Sequence, residues 1–270
     1  MRNARDIFGR FAPQVFRAAL ALMLLAAGAA PAAAADATAI TPGIAAAFSN
    51  PDRFAGDSGE DARRKAAEVL AFMGADTGQH VLDFFAGGGY NSELLSRIVG
   101  PSGSVIAYHS PAGAARSGEK LAKRFGGGRL ANVKQIVASA NELKLDAGSL
   151  DGVLFVMAYH DLYHAPKDAA TPANNIAQIN AGLFQALKPG GVIVVVDHIA
   201  NADADPAKAV EALHRIDPQV VQADFIKAGF TLDSESKVLS NNADDHTRPV
   251  FDPAVRYRTD RFILRFRKPK

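Results

Sequence analysis

Apolar residues recur along this chain in short runs, each closed by glycine, proline or a polar cluster. The runs cover residues 79–84, 103–109, 133–138, 150–157, 192–197, 231–239 and 261–266. LDGVLFVM and VIVVVD are almost continuously apolar, as strands buried on both faces of a sheet are. Between them lie segments with helical spacing: residues 60–73, 91–98, 119–125, 174–187 and 217–228. Asp57 or Ser58 is placed to cap the first of these. Strands alternating with helices predict an α/β domain with a mainly parallel sheet and right-handed crossovers.

The N-terminus follows another pattern. Arg2, Arg5, Arg10 and Arg17 precede the apolar run Ala18–Ala30, and Pro31-Ala32-Ala33-Ala34-Ala35 follows it. A positive leader, a short apolar stretch and small residues together predict a secretory signal peptide over residues 1–35, cleaved near Ala35. The alternative is an uncleaved anchor, since the run sits near the lower limit for spanning a bilayer. The mature chain is expected in the periplasm or outside the cell, with no membrane span. Residues 36–59 read as a loose lead-in to a single domain over residues 60–270.

Composition adds mostly exclusions. Lys and Arg number 30 against 28 Asp and Glu, so no overall charge points to a nucleic-acid partner. Arg256, Arg258, Arg261, Arg265 and Arg267 alternate near the C-terminus, which suits the solvent face of an edge strand. There is no cysteine, which excludes thiol catalysis, disulfides and thiolate metal sites.

The stretch Val81-Leu82-Asp83-Phe84-Phe85-Ala86-Gly87-Gly88-Gly89-Tyr90 is the organising element. It reads as a strand, an acidic residue, a glycine turn and the start of a helix. Three glycines without Cβ atoms let a ligand approach the backbone, and a helix N-terminus favours an anionic group. A dinucleotide fingerprint is incomplete here, because Ser92 stands in place of its third glycine.

The pattern around Asp83 and Gly87–Gly89 resembles motif I of class I S-adenosylmethionine (SAM)-dependent methyltransferases. Lys188-Pro189-Gly190-Gly191 before VIVVVD and Ala228-Gly229-Phe230 before the sixth strand resemble that family as well. A narrower resemblance is to a group of predicted bacterial secreted methyltransferases, carried by Tyr159-His160-Asp161-Leu162 and Asp244-Asp245-His246-Thr247. The resemblance implies a single Rossmann-like domain with a seven-stranded, mostly parallel sheet of order 3-2-1-4-5-7-6, the last strand antiparallel. It implies SAM as cofactor, with a small molecule or a cell-envelope component as methyl acceptor.

Carried over residue by residue, Asp83, Phe85, Ala86, Gly87, Gly89, Tyr90, His109, Asn141 and Tyr159 are the expected cofactor contacts. His109 and Ser139 stand where the family carries acidic residues for the ribose and the adenine. His160 is the candidate base, with Asp161 to orient it, and His198 and His246 are expected on the acceptor side. His164 and His214 are candidates to join them. A histidine cluster also suits a metal, so a metal-assisted hydrolase using His160 and His198 stays open, as does a catalytically silent ligand-binding protein.

Overall fold

The computed structural model describes residues 39–165 and 173–270, so the predicted signal peptide lies outside the described residues. Seven strands form one sheet: β1 (His80–Phe84), β2 (Ser104–His109), β3 (Val133–Val137), β4 (Leu150–Val156), β5 (Leu187–His198), β6 (Thr231–Ser236) and β7 (Arg261–Arg267). Their order is β3-β2-β1-β4-β5-β7-β6. The first five pair in parallel, and β7 runs antiparallel to both β5 and β6. This is the expected architecture.

Apolar clusters cover the two faces. One joins Leu82, Phe84, Phe155 and Val195 to α6 (Ile176–Ala186) and α8 (Pro218–Lys227). The other joins Val81, Leu154, Val194 and Ile263 to α1 (Pro42–Ser49), α3 (Ala66–Met73) and α4 (Tyr90–Val99). Strands buried on both sides are what the continuous apolar runs encode.

Four expectations are corrected. The lead-in is not loose over residues 42–49: Thr41 caps α1, Pro42 starts it, and Ile44 is wholly buried in the core of the domain. The helix predicted over residues 60–73 is broken at Lys65, whose left-handed backbone separates α2 (Ser58–Arg64) from α3. The Lys188–Gly191 turn is drawn into β5, with Gly190 at φ +82°. Finally, β7 is an interior strand, not an edge strand, with Arg261 buried and Arg265 and Arg267 half-buried against Asp233.

Two helices exceed the sequence reading. The one expected from residue 119 starts at Pro111 and forms α5 (Pro111–Phe125), capped by Ser110. A further helix, α7 (Pro206–Leu213), is capped by Asp205. Among the described residues no helix is long and apolar enough to cross a membrane.

Candidate active site

In an open α/β sheet, ligands bind beyond the carboxyl ends of the strands. β1 ends in the glycine turn. Phe85 there takes φ +55° and Gly87 φ +54°, and Met157 beyond the neighbouring β4 takes φ +53°. Two bulky residues held in the left-handed region at adjacent strand ends mark a backbone constrained by its surroundings.

The three glycines serve different ends. A Cβ at Gly89 would lie 2.7 Å from Phe125 and 2.8 Å from the Arg124 side chain, and one at Gly88 2.8 Å from Lys120. Buried Arg124 and half-buried Phe125 of α5 therefore require Gly89, whereas the exposed Lys120 side chain could swing away from Gly88. At Gly87 a Cβ would meet nothing within 4 Å, so this is the open side of the turn. Among the described residues, no group accepts from the Gly87 and Gly88 amides.

Asp83 braces the turn from below. It is sealed from solvent, and its Oδ2 accepts the Ser92 hydroxyl at 2.6 Å. Burial pushes its carboxyl up to about 7, against the bonds from Ser92. The serine that replaces a fingerprint glycine is thus the partner of the motif's acid. Tyr90 turns its hydroxyl to Asp61 at 2.6 Å, and Asp61 pairs with Arg53. Wholly buried Arg124 donates to Gly88 O, Asp57 and Glu93. Residues 52–61 are clamped beside the glycine turn by these charges, a long-range arrangement that the sequence pattern did not signal.

The ends of β2 and β3 are sparser. His109 is buried at the end of β2, and its Nε2 has no partner among the described residues. Burial lowers its imidazole below the ordinary value, so it is neutral and offers one hydrogen bond. The Asn141 side chain is engaged locally, donating to Ala173 O and accepting from Asn175 N. Ser139 donates to Glu142 at 2.9 Å. Tyr159 is corrected: it is wholly buried in the core, with its hydroxyl bonded to Asp224 and Asn180. Its cofactor role is withdrawn.

At the ends of β4 and β5 four histidines converge. Ring centroids are 6.2 Å apart for His160–His198, 5.9 Å for His160–His214 and 4.9 Å for His164–His214. Asp197, wholly buried, accepts from the His160 amide at 3.0 Å and lies 2.8 Å from its Nδ1. Asp161 Oδ1 stands 3.4 Å from His160 Nε2 and 3.6 Å from His164 Nε2. Phe251, from the segment after β6, packs on the His214 ring at 4.9 Å. His246 joins none of these rings; it contacts Asp260 at 3.1 Å.

Electrostatics divide the cluster. Burial alone would push His160 down, but the charge and hydrogen bond of Asp197 outweigh it and raise the imidazole to about 9. Burial, aided by the positive charges of His160, Arg261 and Arg215, drives His198 down to about 3. His198 Nδ1 lies 2.7 Å from Thr259 Oγ1. At neutral pH, therefore, His160 is a cation and His198 a neutral ring. His160, expected as a base, has a buried carboxylate at its Nδ1 that favours the protonated ring. Among the described residues no group of three or more acidic or histidine side chains is arranged to hold a metal ion.

No family model matches the chain. It is 28% identical over 145 residues to a ubiquinone/menaquinone biosynthesis C-methyltransferase, UbiE, of Pseudomonas paraeruginosa, covering 53% of this chain and 51% of the relative. The protein of the same name from Stutzerimonas stutzeri matches equally over the same shares. The chain thus spans about half the length of these curated relatives. Among solved structures, a SAM-dependent methyltransferase from Aquifex aeolicus superposes with TM-score 0.55 at 16% identity, covering 78% of this chain and 94% of that one. The [4+2]-cyclase SpnF gives TM-score 0.55 at 16% identity over 78% and 82%. The fold is therefore that of the class I SAM-dependent methyltransferases, and the fold alone leaves the reaction open.

Proposed function

We propose that this chain is a SAM-dependent methyltransferase whose small-molecule acceptor carries an ionisable oxygen, or a carbon acidified by one. The observation that carries this reading is the shared carboxyl edge of an open glycine turn and a buried His160–Asp197 pair. The acidic carbon is included because the curated relatives are named for C-methylation.

The residues at the turn fit the cofactor. Gly87 leaves space where a side chain would intrude, the Gly87 and Gly88 amides are unclaimed, and the His109 Nε2 lacks a partner. These residues would hold the cofactor, with Phe85 beside them. SAM, when bound, supplies an activated methyl group on a sulfonium. The protein is left with alignment and with control of one proton. His160, as imidazolium, donates through Nε2 to an acceptor oxygen and stabilises it as the oxyanion. Asp197 fixes the ring through Nδ1 and keeps it charged. His198, neutral beside it, adds no competing cation. An extracytoplasmic location, expected from residues 1–35, belongs to this reading and is tested by cell fractionation.

Calorimetry with SAM and S-adenosylhomocysteine on protein starting at Asp36 is the direct test. Binding of both, with turnover on an acidic phenol or enol that falls in His160→Gln, supports the proposal. No binding of either at millimolar ligand refutes it. A second reading rests on Asn141 and Ser139, whose side chains are used locally at the adenosine end. Nucleoside binding without turnover, indifferent to His160→Gln, would select a silent ligand-binding protein instead.

A further inference from the structure

Three arginines are buried among the described residues: Arg124, Arg215 and Arg261. The first two are answered by carboxylates. Arg124 meets Asp57 and Glu93, and Arg215 grips Asp244 with Nη1 at 2.8 Å and Nη2 at 3.0 Å. Arg261 is not answered. Its Nη2 donates only to the Arg63 carbonyl at 3.3 Å, and its buried Nε has no partner among the described residues. The nearby Asp260 is taken up by the Asn241 amide and His246.

The surroundings add charge of the same sign. Burial, then the charges of Arg64 and Arg63, hold the Arg261 guanidinium below its ordinary value, and the charge of Asp260 opposes them only in part. Arg63 and Arg64 share one carboxylate, Glu60. Arg64 also lies over the Tyr90 ring, and Arg63 over that of Tyr257, which is exposed. A largely buried cation with no direct ion pair is unfavourable, and positive neighbours make it worse. An anion is the group that would relieve it.

Arg261 and Arg64 line one small space with Asn91, Met157 and Val196, of about 10 Å³, room for a single oxygen atom. It lies at the carboxyl ends of β4 and β5, next to the start of α4. Arg261 pairs directly with His198 across β5 and β7. A group held there stands beside the histidine cluster, on the far side of β4 from His109 and Ser139.

Building on the methyltransferase reading above, we propose that Arg261 and Arg64 form an anion subsite that takes a carboxylate or phosphate group of the acceptor. One oxygen enters the space beside the Arg261 Nε, and the rest of the group lies outward against Arg64. The acceptor is then an acidic small molecule, held by its anionic end while its nucleophile faces His160. The cofactor also carries a carboxylate, so the test must separate the two sources.

Protein starting at Asp36 is titrated at low salt with benzoate and with inorganic phosphate, followed by calorimetry and thermal unfolding. The native protein binds at least one of them, and Arg261→Gln and Arg64→Gln each weaken that binding about tenfold or more. Without anion, Arg261→Gln unfolds at the same temperature as the native protein or higher, whereas Arg215→Gln unfolds lower because Asp244 loses its partner. No anion binding by the native protein overturns the proposal, as does unchanged binding in Arg64→Gln, the variant to rely on if Arg261→Gln fails to fold. A third arm compares S-adenosylhomocysteine with 5′-methylthioadenosine, which has no carboxylate. If Arg261→Gln weakens only the former, the subsite serves the cofactor and the acceptor assignment falls. Binding of S-adenosylhomocysteine without anion binding overturns the subsite and leaves the methyltransferase reading standing. Anion binding without S-adenosylhomocysteine binding overturns that reading, and the assignment to a methyl acceptor with it.

Discussion

The two ends of the cleft treat buried charge in opposite ways. Beside the glycine turn, Arg124 is enclosed by Asp57 and Glu93, and Arg53 by Asp61. Beyond β4 and β5, Asp197 and Asp244 match His160 and Arg215, but Arg261 makes no ion pair among the described residues. A matched network resists change, because losing one member strands the others. An unmatched charge is a standing strain that a bound group can relieve. The first end is built to hold a backbone shape; the second is built to meet a ligand. Arg124→Ala tests the first half of the contrast most severely. It strands Asp57 in the interior, while Glu93 keeps Arg97 and Arg129, and should destabilise the protein by about 3–5 kcal/mol, read by urea unfolding at neutral pH. A loss below about 1 kcal/mol, the range of an exposed pair, would break the comparison.

Asp197→Asn tests the other end. The amide keeps one acceptor oxygen for the two His160 bonds, sets its NH2 against the other donor, and removes the charge that holds the proton. A loss of about 2–3 kcal/mol is expected at neutral pH, below that for Arg124→Ala because one hydrogen bond persists and His160 can shed its proton. The pH dependence carries the sharper information. His160 is raised in the folded protein from an ordinary 6.5 to about 9. Its contribution to stability is therefore fully present below 6.5 and lost as pH rises through 9. His198 is depressed to about 3, so its contribution is present above 6.5 and lost as pH falls toward 3. In Asp197→Asn, burial acts on His160 against Asp161 alone, and its titration, followed by NMR of the ring, moves down from about 9. A His160 still protonated at pH 8 would show that Asp197 is not what holds the proton.

The same contrast explains what was legible in the sequence. Strands showed themselves because burial on both faces writes continuous apolar runs: LDGVLFVM became β4 less its last residue, and VIVVVD became the second half of a β5 that starts at Leu187. The glycine turn was legible because backbone at positive φ demands glycine. The reason for Gly89 was not, since it lies in Arg124 and Phe125, some thirty residues on. Alanine hides amphipathicity, so α1 passed for a loose segment, although Thr41-Pro42 carried the cap that marks it. Asp205-Pro206 marked α7 in the same way. Tyr159 was misassigned because a tyrosine after a strand end reads alike whether its ring turns to the cleft or, as here, to Phe155 and Phe225. Histidines at two strand ends were predictable from topology. Which of them keeps its proton was not, because that depends on Asp197 sitting behind one ring and Arg261 near the other.

Two alanine substitutions one residue apart make the finest test of the glycine end. At Gly89, φ is +77° and a Cβ would meet Phe125 and Arg124 at under 3 Å, in a helix end locked by the Asp57–Glu93 network. Strain and overpacking act together, and Gly89→Ala should destabilise by about 2 kcal/mol. At Gly87, φ is +54° but the Cβ would enter open space. Only the left-handed backbone penalty applies there, about 1 kcal/mol. The order reverses for ligand binding. A methyl group at Gly87 sits where the turn is open, and should weaken S-adenosylhomocysteine binding about tenfold or more while barely moving the unfolding temperature. Gly89→Ala should lower that temperature clearly and weaken binding less. Paired calorimetry and thermal unfolding read both effects on the same samples. If Gly87→Ala leaves binding untouched, the turn's open side does not face the cofactor. All three glycines would then serve packing and backbone alone, and this end of the cleft would be scaffold throughout.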